Sequence, residues 1–242
     1  MTDPHGGLAS SEQGYRLKLL TTSAATTGIS LVRFEIVAPD GRPQTSYVLD
    51  QTKRLHFYLV REDLTGYQHV HPTLGRDGIW RIALHFAAAG PYRVYADFIA
   101  RDGAGKQHAL VLSRRLHVRG SYHPIALPAP STTIAVDGYT VALKGTPKAG
   151  RETPLSFHIT RDGHPVDDLQ TYLGTFAHMT AFKAHQLAYQ HMHPFMPAGS
   201  PAHGGPDLDF TVDFASAGRY RLFLQFKTGG RLHLATFVID VA

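Results

Sequence analysis

Apolar and polar positions alternate with a period of two along most of the chain. YRLKLL (15–20), LVRFEIV (31–37), LHFYLV (55–60), WRIALHF (80–86), YRVYADF (92–98) and ALVLSRRLHV (109–118) are short and rich in β-branched and aromatic residues. Turn signals such as PDGR, RDG and AAAGPY separate them, which predicts strands. The second half runs through the same series with YTVALKG (139–145), LSFHIT (155–160), AHMTAF (177–182), DFTVDF (209–214), YRLFLQF (220–226) and LATFVIDV (234–241). No stretch keeps a helical period beyond two turns. Six or seven short strands in each half predict an all-β protein of two tandem antiparallel β-sandwich domains, immunoglobulin-like or cupredoxin-like.

The halves are copies of one unit. DGRPQTSYVLDQTKRLH (Asp40 to His56) lies on DGHPVDDLQTYLGTFAH (Asp162 to His178) without a gap, and YQHVHP (67–72) on YQHMHP (189–194), where only Val70 and Met192 differ. Small gaps extend the match to Gly14-Tyr15 with Gly138-Tyr139 and to GPYRVYADF (90–98) with GRYRLFLQF (218–226). A repeat of this length is a whole domain rather than a solenoid unit. The expected layout is a flexible leader over 1–14, sandwich repeats over 15–118 and 134–242, and a linker over 119–133 that Pro124, Pro128 and Pro130 hold extended.

Composition narrows the chemistry. A hydrophobic share of 43% with 18% charged residues describes a soluble globular chain. The net charge of +5 is scattered without a basic block, so nucleic acid is not an expected partner. The chain has 16 His and no Cys, which excludes disulfides, thiolate zinc sites and blue-copper centres. It has no run of 18 apolar residues, and MTDPHGGLASSEQG lacks the regions of a signal peptide; it suits a start downstream of an export or anchor segment.

Each copy carries H-x12-H-x-H: His56, His69 and His71, then His178, His191 and His193. If LHFYLV and YQHVHP form a hairpin, with Tyr58 opposite His69 and His56 opposite His71, the period of two puts all three imidazoles on one face. In the second copy His178 falls opposite His193 and Thr180 opposite His191. Opposed Cβ atoms roughly 5 Å apart let three rings reach one ion at about 2.0–2.1 Å per bond. Leu55, Phe57, Leu59 and Val70 then face the core, leaving the histidines on the open face or at a sheet edge. His108 and His233 align as a further pair that could complete each set. Met179, Met192, Met196, His185 and His203 add ligands in the second copy that suit Cu(I). A single strand histidine is more often a hydrogen-bonded structural residue than a ligand. Retention of three at matching places in two diverged copies shifts the balance toward a metal. His85, His117 and His158 in strands, and His5, His123, His164 and His203 in loops, read as structural, as does Asp97, whose counterpart is Gln225.

QTYLGTFAHMTAFKAHQLAYQHMHP (170–194) with GRYRLFLQFKTGGRLHLATF (218–237), and RLHFYLVREDLTGYQHVHP (54–72) with GPYRVYADF (90–98), resemble a group of bacterial two-domain proteins, exported or membrane-associated and mostly without assigned function. That group is similar to small copper-handling β-sandwich proteins of the CopC and YtkA types. The resemblance implies a periplasmic or extracellular metal binder, membrane-anchored if the natural chain is longer. This chain departs from CopC-like proteins in lacking an N-terminal His after a cleavage point, so their ligand set does not carry over. The expected function is non-enzymatic binding of copper, with zinc or nickel as alternatives, and with another exported or membrane protein as partner. A non-catalytic interaction or structural module with structural histidines is the alternative.

Overall fold

The computed structural model describes residues 6–24, 27–192, 194 and 203–242. The chain divides into two units, one ending at Ala126 and the other beginning at Leu127. All twelve strands expected from the alternation are present, and each unit is a two-sheet sandwich.

In domain 1 one sheet has the order Ser11–Glu12, Tyr15–Leu19, Gly28–Val37, Trp80–Phe86, Thr73–Leu74. The other has Ser23–Ala24, Gln107–Val118, Gly90–Arg101, His56–Arg61, Gln68–Val70. The longer strands follow the ABE and GFC sheets of an immunoglobulin-type sandwich, with Thr73–Leu74 in the place of D and Gln68–Val70 added at the edge beyond C. Domain 2 repeats the plan. Tyr139–Lys144, Glu152–Arg161 and Asp207–Asp213 form one sheet; Tyr189–Met192, Ala177–Lys183, Gly218–Thr228 and Arg231–Val241 form the other.

Alternation is what fills the cores. Tyr15, Leu17 and Leu19 turn inward while Arg16 and Lys18 stay out. Phe34 of one sheet stacks on Phe57 of the other with ring centres 4.6 Å apart, and Phe157 meets Phe237 at 5.4 Å in domain 2. Both domains also carry the tyrosine corner of this fold. The Tyr92 hydroxyl donates to the Ala88 carbonyl and the Tyr220 hydroxyl to the Ser216 carbonyl, each at 2.8 Å. The AAAGPY segment, read from sequence as a turn signal, and its counterpart ASAGRY (215–220) are these corners.

Part of the expected leader is structured. Ser11–Glu12 pairs with Tyr15–Leu19, and the Ala9 carbonyl accepts the Ser113 N–H. After the last strand of domain 1, the segment read as linker is clasped by the turn that follows His56–Arg61. Arg61 donates through Nη2 to the His123 carbonyl at 2.6 Å and lies over the Tyr122 ring at 4.7 Å. Asp63 accepts the Ile125 N–H at 2.9 Å and faces Arg61 Nη1 at 3.4 Å, both side chains being 3% exposed. Gly90 leaves room for the Tyr122 ring, which a Cβ there would overlap. Lys183 and His185 occupy the corresponding positions of domain 2, so the clasp belongs to domain 1.

Candidate metal centre

The hairpin forms in the register the sequence predicts. Tyr58 pairs with His69 and Phe57 with Val70, and in domain 2 Thr180 pairs with His191 and Met179 with Met192. His71 follows the last paired residue, at the sheet edge. Leu55, Phe57 and Leu59 belong to the core, with Val70 packed against it. Odd and even positions therefore part as expected, and His56, His69 and His71 come together.

Their ligand atoms all lie within 4.8 Å of one another. His56 Nδ1 is 3.0 Å from His69 Nε2 and 3.3 Å from His71 Nε2. Three nitrogens bound tetrahedrally to one ion at about 2.0–2.1 Å sit roughly 3.3–3.4 Å apart, so the rings need only small shifts to share an ion. Tyr58 stacks on His69 with centroids 4.4 Å apart and planes 19° off parallel, which restricts that ring. The face is less open than the alternation suggested: His56 is 1% and His69 8% exposed, and His71 is half-buried. Burial above all pushes the His71 imidazole down to about 3, so that ring stays neutral below the ordinary histidine range.

Domain 2 repeats the first pair. His178 Nδ1 is 3.4 Å from His191 Nε2, and the rings stack with centroids 5.7 Å apart. His193, the third expected ligand, lies outside the described residues, as do Met196 and His5. Met179 and Met192 are buried in the core between the sheets, on the face opposite the histidines, and His185 is exposed in the hairpin turn. The sulfur ligands expected from Met179 and Met192 therefore do not reach this set. His203, expected in a loop, lies in the short strand His203–Gly204.

His108 and His233 are a true repeat pair with another role. His56 pairs across the sheet with Asp97, whereas His108 pairs with Ala100, three residues further along, and so faces the core side. His233 pairs with Phe226 and His178 with Gln225, the same separation of faces. His108 bonds Gln13 Oε1 at 2.9 Å and Asp102 Oδ2 at 3.0 Å; His233 bonds Asp137 Oδ2 at 2.8 Å and Thr228 Oγ1 at 2.9 Å. Gln13 and Asp137 stand just before the matching Tyr15 and Tyr139, against which the two imidazoles pack. Both histidines latch the last strand to the first hairpin across the sandwich rather than joining the clusters. Asp97, read as structural, and its counterpart Gln225 stand directly across the ladder from His56 and His178.

One element of the site was not foreseen. His56 Nε2 donates to the Asp50 carbonyl at 3.1 Å and His178 Nε2 to the Tyr172 carbonyl at 3.0 Å, each carbonyl opening a tight turn. Gly174 marks that turn in the second copy. The first has Gln51 and Thr52 there and gives no glycine signal.

Fold and site together define a tandem immunoglobulin-type sandwich protein with an imidazole cluster on the C-strand hairpin. The chain belongs to the family described as a domain of unknown function (DUF8832), matched twice, over residues 9–113 and 134–242. No curated protein matches it in sequence. Among solved structures it is similar to the Escherichia coli adhesin FdeC, at 18% identity and a TM-score of 0.31, over 96% of this chain and 65% of that one. A putative membrane-anchored protein from Corynebacterium diphtheriae is similar at 10% identity and a TM-score of 0.27, over 95% of this chain and 57% of that one. A tetra-tandem repeat from the extending region of a large adhesion protein is similar at 13% identity and a TM-score of 0.28, over 94% and 49%. The chain thus spans less than two thirds of these structures. Neither they nor the family match carry the likeness to CopC and YtkA types.

Proposed function

We propose that this chain is a metal-binding protein in which His56, His69 and His71 hold one transition-metal ion in domain 1, and His178, His191 and His193 hold one in domain 2. One observation carries the reading. His56 Nδ1 has a single in-plane lone pair, yet two Nε2 atoms approach it at 3.0 and 3.3 Å. A hydrogen bond uses that lone pair once, whereas an ion placed among the three nitrogens satisfies all of them. Three imidazoles without a thiolate suit Cu(II), Zn(II) and Ni(II), and copper stands highest in intrinsic affinity, so copper is the favoured ion. The reading is of a binder rather than an enzyme, exported or held at the cell surface as the resemblance implies, exchanging its ion with another exported or membrane protein.

Calorimetric titration of tag-free protein with Cu(II) and with Zn(II) tests this. Wild type should bind two ions, and a His69→Ala, His191→Ala double variant should lose both. A wild type that binds none would leave a duplicated scaffold whose histidines serve structure.

A further inference from the structure

The turn ahead of each ligand strand is repeated as faithfully as the histidines. Asp50 and Lys53 exchange both backbone hydrogen bonds, each 2.8 Å long, around Gln51 and Thr52 with φ of 43° and 69°. Tyr172 and Thr175 do the same at 2.7 and 3.3 Å around Leu173 and Gly174 with φ of 55° and 84°. Positive φ at both central positions defines a type I′ turn, usually the place of Asn-Gly. The first copy builds it from Gln and a β-branched Thr, residues that avoid this region, so the surrounding structure holds it there.

Holding it has a chemical consequence. The opening carbonyl, of Asp50 or Tyr172, accepts the ring Nε2 of His56 or His178. A carbonyl has no proton to give, so Nε2 carries the hydrogen and the neutral imidazole keeps its lone pair on Nδ1. Nδ1 is the atom aimed at His69 and His71 in one domain and at His191 in the other.

We infer that the turns at 50–53 and 172–175 are ligand-positioning elements, which set His56 and His178 as Nδ1 ligands while His69, His71 and His191 present Nε2. The purpose rests on the metal-binding reading, but the protonation pattern belongs to the metal-free protein and is measured there. Each metal site is then a module of turn, strand and hairpin, and the turn carbonyl does for the first ligand what outer-shell carboxylates or carbonyls do in metalloproteins. Asp50 and Tyr172 differ in side chain because the backbone supplies the contact.

Long-range 1H–15N correlation spectra of the imidazoles in metal-free protein decide the matter. His56 and His178 should each show a protonated Nε2, slow to exchange with water, and a bare Nδ1. Gln51→Pro, whose ring forbids positive φ, should expose the His56 Nε2–H to rapid exchange, leave His178 unchanged and weaken Zn(II) binding in domain 1 by about 10–100-fold. The Gln51→Asn, Thr52→Gly double variant, which favours the turn, should keep the wild-type pattern and affinity. A protonated Nδ1 on His56 or His178 of the wild type would overturn the inference, as would wild-type affinity in folded Gln51→Pro. If that variant fails to fold, the wild-type rings of both domains still decide. A wild type that shows the pattern but binds no ion would refute the metal reading and leave the turn contact intact.

Discussion

Removing one side of the Arg61–Asp63 clasp should unsettle domain 1 well beyond the worth of a surface ion pair. Both side chains are 3% exposed, and Asp63 accepts the Ile125 N–H at 2.9 Å, the Thr65 hydroxyl at 2.7 Å and the Thr65 N–H at 3.1 Å. Burial alone would raise the Asp63 carboxyl; the bonds from Ile125 and Thr65 and the Arg61 charge outweigh it and hold it below the ordinary carboxylate range. Its contribution is therefore full above that range and is lost as pH falls through the depressed value. Asp63→Ala strips those bonds and leaves a buried guanidinium, which keeps the His123 carbonyl and the Tyr122 face. Breaking a buried pair from one side costs about 3–5 kcal/mol, and the retained contacts put this case near 3. The single tryptophan, Trp80, is in the core of domain 1, so its fluorescence in urea follows that domain alone. With m near 2 kcal/mol/M, a loss of about 3 kcal/mol lowers the midpoint by roughly 1.5 M. Arg61→Met with Asp63→Ala should cost less than the two single losses summed. An unmoved midpoint in Asp63→Ala, or strictly additive losses, would refute the clasp.

Tyr92→Phe removes the corner bond to Ala88 and should destabilise domain 1 by about 1 kcal/mol, read by Trp80 fluorescence; Tyr220→Phe should leave that transition unmoved. His108→Ala and His233→Ala should lower the melting temperature of their domains without changing metal stoichiometry, since both rings face the core side. The unfolded chain protonates His71 near its ordinary pKa of about 6.5, the folded one near 3, so this residue withdraws stability as pH falls between those values. Its ring shifts in metal-free protein should stay flat from pH 7 to pH 5; a titration there contradicts the burial seen in the structure.

The strands, the duplication and the hairpin register were legible because a sandwich needs one inward residue in two, and a one-residue slip would turn Phe57 outward and His56 into the core. What the alternation could not tell was which face a distant strand presents. His108 aligns with His233 by sequence, but only the ladder, with Ala100 beside His108 and Asp97 beside His56, puts them on opposite sides. Met179 and Met192 misled for the same reason: soft ligands by chemistry, they point inward by parity. The turn carbonyls were invisible because a backbone contact leaves no residue signature, and the first copy has no glycine at its positive-φ positions. The Arg61 clasp was hidden because its partners, the His123 carbonyl and the Ile125 N–H, lie 62 residues away and are main-chain atoms.

The convergence of three imidazoles is tested most directly by following the ring signals of His56, His69 and His71 while Zn(II) is added to tag-free protein. All three should shift together and saturate at one equivalent for domain 1, His56 through Nδ1 and the other two through Nε2. Rings that stay unperturbed, or that respond separately at different metal concentrations, would contradict a shared ion.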